Sequence, residues 1–350
     1  MKKITIREIA KIAGVSPRTV TRAFQDDSSI KNEKRRKILD LCREYDYKPN
    51  IIASRLFGGT IRFGVCVENL VSGFTNELAR GFMSAKEELL DYKAEIDIEI
   101  LEQKSESEMN EERLGLIEIY KKRKYDGIII FILRNRNDKI TRALNESGMK
   151  IVCVNDIYYG VNSLFTVLNN CVLAGKMAFE ILSLGMLGSE RRNIAVFTGD
   201  TNLYVHKTLK DSFIFEAETK GVNSTVYDTK DTVELAAKYT DEIIERNDIG
   251  GIYISSANSV PVIEKIIASG KAGDIKIVAS DIFPELNEYI RNGIIMATIF
   301  QNPYRQAKMA VMNLYYYIAE KRKIPEVFKI TPQIVMRSNL EAYEAAEEIL

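Results

Sequence analysis

Tryptophan is absent from this 350-residue chain, histidine occurs once, and cysteine occurs four times. One histidine, His206, leaves no material for a multi-histidine metal site and a single candidate base for histidine-dependent catalysis. Cys42, Cys66, Cys153 and Cys171 lie far apart, each in an apolar context and without metal-ligand spacing. They read as buried, reduced thiols of a cytoplasmic protein. No stretch reaches the ~18 consecutive apolar residues of a membrane-spanning helix, and no secretory signal precedes the charged start, so no membrane partner is expected. Neither a G-x-G-x-x-G following the first strand nor a G-x-x-x-x-G-K-[ST] is present, which disfavours a dinucleotide enzyme and a P-loop NTPase. Nothing in the chain forms a nucleophile elbow. No cofactor, no metal and no enzymatic activity are therefore expected.

What is present is charge of unequal distribution. Lysine plus arginine and aspartate plus glutamate each total 49, a formal balance of zero. Residues 1–60, however, hold 14 basic and 7 acidic side chains, and residues 61–350 hold 35 and 42. A basic head on an acidic body points to a polyanionic partner for the head.

The head contains the most informative stretch. Ile6, Ile9, Ala10 and Ala13 follow the i, i+3, i+4, i+7 spacing of one apolar helix face. Gly14 suits the positive φ that ends such a helix, Ser16 offers a cap oxygen, and Pro17 fits the first position of the next helix. In that second helix Val20, Ala23 and Phe24 turn inward, and Pro17, Arg18, Thr21 and Arg22 remain outside. Two short helices around a tight turn, with arginines outward on the second, have two readings: an ordinary helical hairpin with a solvated basic face, or a helix-turn-helix whose second helix enters the major groove. A third helix is predicted over Asn32–Tyr45, with Ile38, Leu41, Cys42 and Tyr45 inward. Its basic run Lys34–Lys37 has two readings, solvated charge or phosphate contact. Residues 50–60 read as a short hinge helix closed by Gly58-Gly59, too short to be stable alone in water.

From Arg62 onward short apolar runs alternate with helical patterns. Strands are predicted at Phe63–Val67, Ile96–Leu101, Gly127–Leu133, Ile151–Val154, Ile194–Thr198, Thr225–Tyr227, Gly251–Ser255 and Ile275–Ser280, with helices between them such as Thr75–Leu90, Leu173–Leu184 and Thr232–Arg246. This alternation predicts parallel sheets covered by helices on both faces. Sequence order alone divides the body near residue 165.

The run Thr5 to Arg22, the Tyr47-Lys48-Pro49-Asn50 after the third helix and the Ala53-Ser54-Arg55-Leu56 that follows together resemble the lactose-repressor family of bacterial transcription regulators. The resemblance implies an all-α helix-turn-helix DNA-binding head (1–49), a hinge (50–60) and an α/β two-lobed, periplasmic-binding-protein-like body (61–350) with three crossovers. It implies a first lobe of about 61–165 and 295–325 and a second of about 166–294 and 326–350. It further implies a homodimer on a pseudo-palindromic double-stranded operator, responsive to a small-molecule effector, a carbohydrate or sugar phosphate. Thr5, Ser16, Pro17, Arg18, Thr21 and Arg22 are then the DNA-facing residues of the head. Asn50, Ala53 and Leu56 belong to the hinge, with Leu56 matching the leucine that wedges between base steps.

Ligands of open α/β sheets sit beyond the carboxyl ends of the strands. There the sequence offers Ser72, Phe74 and Thr75 after the first strand and Asn155 with Asp156 after the fourth. The resemblance adds Asp281, which matches the family's cleft aspartate, and Gln301, which matches its ligand-facing glutamine. Each has a second reading: Asp281 as a brace for the crossover, Gln301 as a cap for the helix behind Pro303, Phe74 as core. Two positions depart from the family pattern. Lys207 stands where an arginine is usual, beside His206, and Ala257-Asn258 replaces Asn-Asp. Lys207 and Asn258 are kept as ligand candidates, and the swap suits an anionic effector such as a sugar phosphate.

Overall fold

A computed structural model describes residues 4–24, 30–45, 59–69, 72–131, 137–256 and 258–344, and only the backbone of Thr21, Phe24 and Ser72. Asn50, Ala53 and Leu56 lie outside the described residues.

The head folds as three helices, α1 (Ile6–Ala13), α2 (Pro17–Phe24) and α3 (Asn32–Glu44). Gly14 ends α1 at φ 64°, where its N–H reaches the carbonyls of Ala10 and Lys11 and where a Cβ would be strained. Ile9, Ala10, Val20, Ala23, Ile30, Ile38 and Cys42 form a closed core. Tyr45, expected inside, is 44% exposed, because α3 ends one residue earlier and Ile38 and Cys42 already fill the contact.

The body has two six-stranded sheets. The first runs β11-β5-β4-β3-β1-β2, from β1 (Ile61–Asn69), β2 (Ala94–Glu102), β3 (Gly127–Phe131), β4 (Lys150–Val154), β5 (Ser163–Asn169) and β11 (Val327–Ile330). The second runs β12-β10-β9-β8-β6-β7, from β6 (Asn193–Thr198), β7 (Ser224–Asp228), β8 (Ile249–Ile254), β9 (Lys276–Ser280), β10 (Ile295–Phe300) and β12 (Gln333–Val335). All neighbours are parallel except β10 with β12. The central strands β3 and β8 are buried along their whole length, as parallel strands covered on both faces require.

In the first lobe α4 (Ser72–Glu88) packs against α12 (Pro303–Glu320) over the sheet. Ala307, Ala310, Val311 and Leu314 of α12 join Phe63, Val65 and Phe82 in one core. On the opposite face α5 (Glu106–Lys122) and α6 (Asp138–Asn145) bury Ile117, Tyr120, Ile140 and Leu144. The second lobe sets α7 (Cys171–Gly185) and α8 (Tyr204–Thr219) on one face. Helices α9 (Val233–Glu245), α10 (Ser259–Ala268) and α11 (Pro284–Arg291) cover the other.

The chain passes between sheets three times, but not at the expected residues. All of β5, to Asn169, belongs to the first sheet, so the first passage falls at about 170 rather than 165. Strand β10 belongs to the second sheet, so the return begins at Gln301 rather than 295. Strand β11 is in the first sheet, which moves the last passage from 325 to 331–332. The reason is local. An apolar strand stays in its sheet to its carboxyl end, and the chain leaves where a polar residue can cap the next helix. Asn170 accepts from Leu173 N at 3.3 Å to start α7, and Asn302 accepts from Arg305 N at 2.9 Å to start α12.

Candidate functional site

In the head, Thr5 and Ser16 are engaged as helix caps. Thr5 Oγ1 accepts from Glu8 N at 3.3 Å while the Glu8 carboxylate accepts from Thr5 N at 2.7 Å, a reciprocal capping box. Ser16 Oγ accepts from Thr19 N at 3.2 Å and lies 2.9 Å from Thr19 Oγ1. The face of α2 opposite its core residues presents Pro17 and Arg18, both exposed, with Arg22 half-buried one turn further on. Helix α2 is thereby fixed at its start, with its arginines on the side away from Val20 and Ala23.

The body's candidate site lies where the carboxyl ends of the two sheets meet the crossovers. Asp281, immediately after β9, is buried in a left-handed conformation, φ 64°, a region that aspartate and asparagine tolerate better than other side chains. Its Oδ1 accepts from Gln301 N at 2.9 Å and its Oδ2 from Gln301 Nε2 at 2.7 Å. Gln301 Oε1 in turn accepts from Asn169 Nδ2 at 3.3 Å, and Gln306 Nε2 donates to the Gln301 carbonyl at 3.1 Å. Burial pushes the Asp281 carboxyl up to about 7, only partly offset by the two bonds from Gln301. Asp281 and Gln301 touch each other, as the reading of Asp281 as a brace for the crossover has it, and through Asn169 they tie the first two crossovers together.

Asp156 also acts across the lobes. It is buried, and its Oδ1 accepts from Ile157 N at 2.7 Å and from Tyr204 N, the first residue of α8, at 3.1 Å. Leu203, at the cap position of α8, offers no side-chain acceptor. A first-lobe carboxylate thus caps a second-lobe helix. On another edge of the cleft a Cβ on Gly73 would lie 2.7 Å from Phe283 Cβ, so only glycine lets α4 approach the start of α11 this closely.

The remaining candidates divide. Phe74 is half-buried, stacks on Phe131 at 5.7 Å and packs against the first-lobe core. Thr75 is buried, with Oγ1 3.5 Å from the Glu68 carbonyl. Glu68 itself forms a buried ion pair with Arg113 Nε at 2.5 Å. Lys207 does not sit with the buried group: its ammonium pairs with Asp211 at 2.7 Å on the exposed side of α8, as i, i+4 geometry favours. His206 Nε2 lies 3.5 Å from Asp231 Oδ2.

A set of buried polar atoms at the strand ends has no hydrogen-bond partner among the described residues. It comprises Asn155 Oδ1, Asn169 Oδ1, Thr198 Oγ1, Ser256 Oγ, Asn258 Nδ2 and Gln306 Oε1. Of these only Asn155 and Asn258 were expected. Three of the others share a signal that was legible in outline: Asn169 and Thr198 are the polar residues that end apolar strands, and Ser256 follows β8 by two positions, whereas Gln306 lies on α12. A cavity of about 500 Å³ near Arg191, Asn247, Asp248 and Asp274 lies at the opposite, amino ends of β6, β8 and β9. Of its lining groups Arg191 pairs with Asp274, and Asp248 pairs with the neighbouring Arg246; it is a surface depression apart from the cleft. Among the described residues there is no metal-binding cluster and no helix long and apolar enough to cross a membrane.

Comparison with known proteins agrees with this division. Residues 5–50 match the family of bacterial regulatory proteins of the lacI type, and residues 63–322 match the periplasmic binding protein domain. The regulator RegA of Clostridium saccharobutylicum is 28% identical over 151 residues, a match spanning 43% of each chain. The repressor PurR of Pasteurella multocida is 22% identical over 353 residues, 97% of this chain and 99% of that protein. In fold the body resembles a transporter solute-binding protein from Bacillus halodurans C-125 crystallised with myo-inositol, with a TM-score of 0.67 at 19% identity, over 82% of this chain and 98% of that one. The chain belongs to the lacI family of bacterial transcription regulators, a helix-turn-helix head followed by a periplasmic-binding-protein-like body.

Proposed function

We propose that this chain is a homodimeric, cytoplasmic repressor that binds a pseudo-palindromic operator through α2 and releases or tightens it in response to a small hydroxyl-rich molecule, a sugar or sugar derivative, held between the lobes. The observation that carries the sensing half is the set of unpartnered buried polar atoms contributed by both lobes. An unpaired buried amide or hydroxyl is destabilising by about 1–3 kcal/mol, and a polyol supplies both donors and acceptors to such groups. The DNA half rests on the basic head and the arginines of α2. The hinge, with Leu56, belongs to the same reading as the segment that enters the minor groove.

An uncharged effector fits better than the anionic one that Lys207 suggested, because Lys207 is committed to Asp211 on the exposed face of α8. Thermal unfolding of the full chain in the presence of neutral sugars, polyols and sugar phosphates tests this. A stabilising shift from an uncharged sugar or polyol, retained when phosphorylated analogues fail, is the expected result. A shift from phosphorylated sugars alone would overturn the neutral assignment. An exported solute-binding protein shares the body but has no use for the head, so specific capture of duplex DNA by the full chain separates the two.

A further inference from the structure

Helix α2 has only eight residues, too few to hold its own shape in water. Its start is held by Ser16. Its last turn is held from elsewhere: Arg35 Nε, on α3, donates to the carbonyl of Ala23 at 2.9 Å, across 12 residues of chain. That carbonyl is one of those a helix leaves without an intrahelical donor, at the end where a cation is also favoured. Arg35 lies one turn before Ile38, which with Cys42 shares the core of Val20 and Ala23. Within the basic run Lys34–Lys37 it alone is half-buried, the other three side chains being exposed.

We infer that Arg35 is a positioning residue for sequence readout. It fixes the last turn of α2 against α3, and with it the direction in which Arg22, the residue before Ala23, leaves the helix. The inference rests on reading α2 as the base-reading helix. It separates the basic run into one internal brace and three outward charges. A guanidinium Nε–H is a directional donor, whereas a lysine ammonium is a flexible point charge, which makes arginine the fitting residue for a brace.

The test uses the full chain with two DNA probes, a duplex selected from a random-sequence pool by the wild-type protein and a mixed-sequence duplex. Affinity for both is measured between 50 and 200 mM salt. Arg35→Met is expected to weaken the selected duplex about tenfold, the loss of one charge-assisted hydrogen bond. It should leave the mixed duplex within about twofold and the salt dependence unchanged. Arg35→Lys is expected to recover part of the loss, since an ammonium can donate to the same carbonyl. Hydrogen exchange of Arg35→Met should show faster exchange in the last turn of α2 with α1 and α3 still protected. Equal weakening on both duplexes, with a salt slope lower by about 0.9, would make Arg35 a phosphate contact and overturn the proposal. So would loss of protection throughout the three helices, which would make it a general stabiliser of the head. Failure of the underlying reading looks different: Arg22→Ala would then leave the sequence preference unchanged, whatever Arg35 does.

Discussion

The head and the cleft treat polar groups in opposite ways. In the head the buried or turn-forming polar groups are paired internally: Thr5 with Glu8, Ser16 with Thr19, Arg35 with the Ala23 carbonyl. What faces outward on α2 is charge, led by the exposed Arg18. In the cleft the charged groups are tied up, Asp156 to Tyr204 N and Asp281 to Gln301, and uncharged amides and hydroxyls are left unpartnered and buried. The difference suits the partners proposed for the two regions. A polyanion is drawn by exposed cations whose counterions it displaces, and base edges are read at the surface of a groove. A neutral, hydroxyl-rich ligand is held by dipoles shielded from water, where each hydrogen bond is stronger and each unmade one more costly.

The largest expected effect comes from a cleft acid, Asp281, that its surroundings drive toward its neutral form. The folded-state value of the Asp281 carboxyl, about 7, lies above its ordinary 3.8 because burial penalises the charge. A group raised on folding contributes stability that is complete below its unfolded value and is lost as pH rises through its folded value. Between pH 5 and pH 8 the protein should therefore lose about 2–3 kcal/mol of unfolding free energy through this group. Asp281→Asn should remove that slope. Its amide can keep the bond from Gln301 N, and rotation of the Gln301 and Asn169 amides can supply an acceptor for its new donor, since Asn169 Oδ1 has no partner among the described residues. Denaturant unfolding of both proteins at the two pH values checks this, and an unchanged slope in the variant would remove Asp281 as its source.

On the other side of the comparison, Arg22→Ala should lose about 1–3 kcal/mol of discrimination at one base position of each half-site, with little change elsewhere. Selection of binding sites by the variant, beside the wild type, gives the answer position by position. A uniform loss over all sequences would place Arg22 on a phosphate.

Asp156→Ala is smaller in energy and sharper in meaning. It removes a cap that comes from the other lobe, at about 1 kcal/mol by analogy with ordinary helix caps. Because the donor is Tyr204 N in the second lobe, the loss should also widen the distribution of interlobe distances. Spin labels on exposed residues of α5 and α8 would report it. Equal distance distributions in variant and wild type would reduce Asp156 to a local turn residue.

How much of this was readable beforehand differs between the same two regions. The head is governed by neighbours in sequence: the turn at Gly14, the Ser16 cap and the inward Ile9, Ala10, Val20, Ala23, Ile38 and Cys42 followed from spacing, whereas the Thr5–Glu8 capping box did not and Tyr45 is exposed. The cleft is governed by contacts between distant residues. That Asp281 meets Gln301, or that Asp156 reaches α8, depends on how two sheets are set against each other, which no local pattern encodes. Strands β5 and β10 escape a reading from sequence because each is a short apolar run beside a passage between the lobes, β5 ending on Asn169 and β10 followed at once by Gln301 and Asn302. Only the residue types tolerant of left-handed backbone, asparagine and aspartate at 155, 281 and 302, mark the strand ends from sequence, and they do so without saying which partner each will find.

The smallest expected effect is the strictest check on the contrast. Lys207 occupies the family's arginine position, and on sequence grounds it was the cation of the cleft. In the folded chain it is an exposed i, i+4 partner of Asp211, and the carboxylate beside it holds its ammonium above the usual lysine range. Exposed pairs of this kind contribute little to stability. Lys207→Ala should therefore leave thermal stability almost unchanged and leave the affinity for whichever neutral sugar or polyol stabilises the wild type within about twofold, a difference of roughly 0.4 kcal/mol. Isothermal titration of that compound into both proteins decides it. A loss of tenfold or more would mean that the ammonium swings from Asp211 to the ligand, and the cleft would then recognise charge much as the head does.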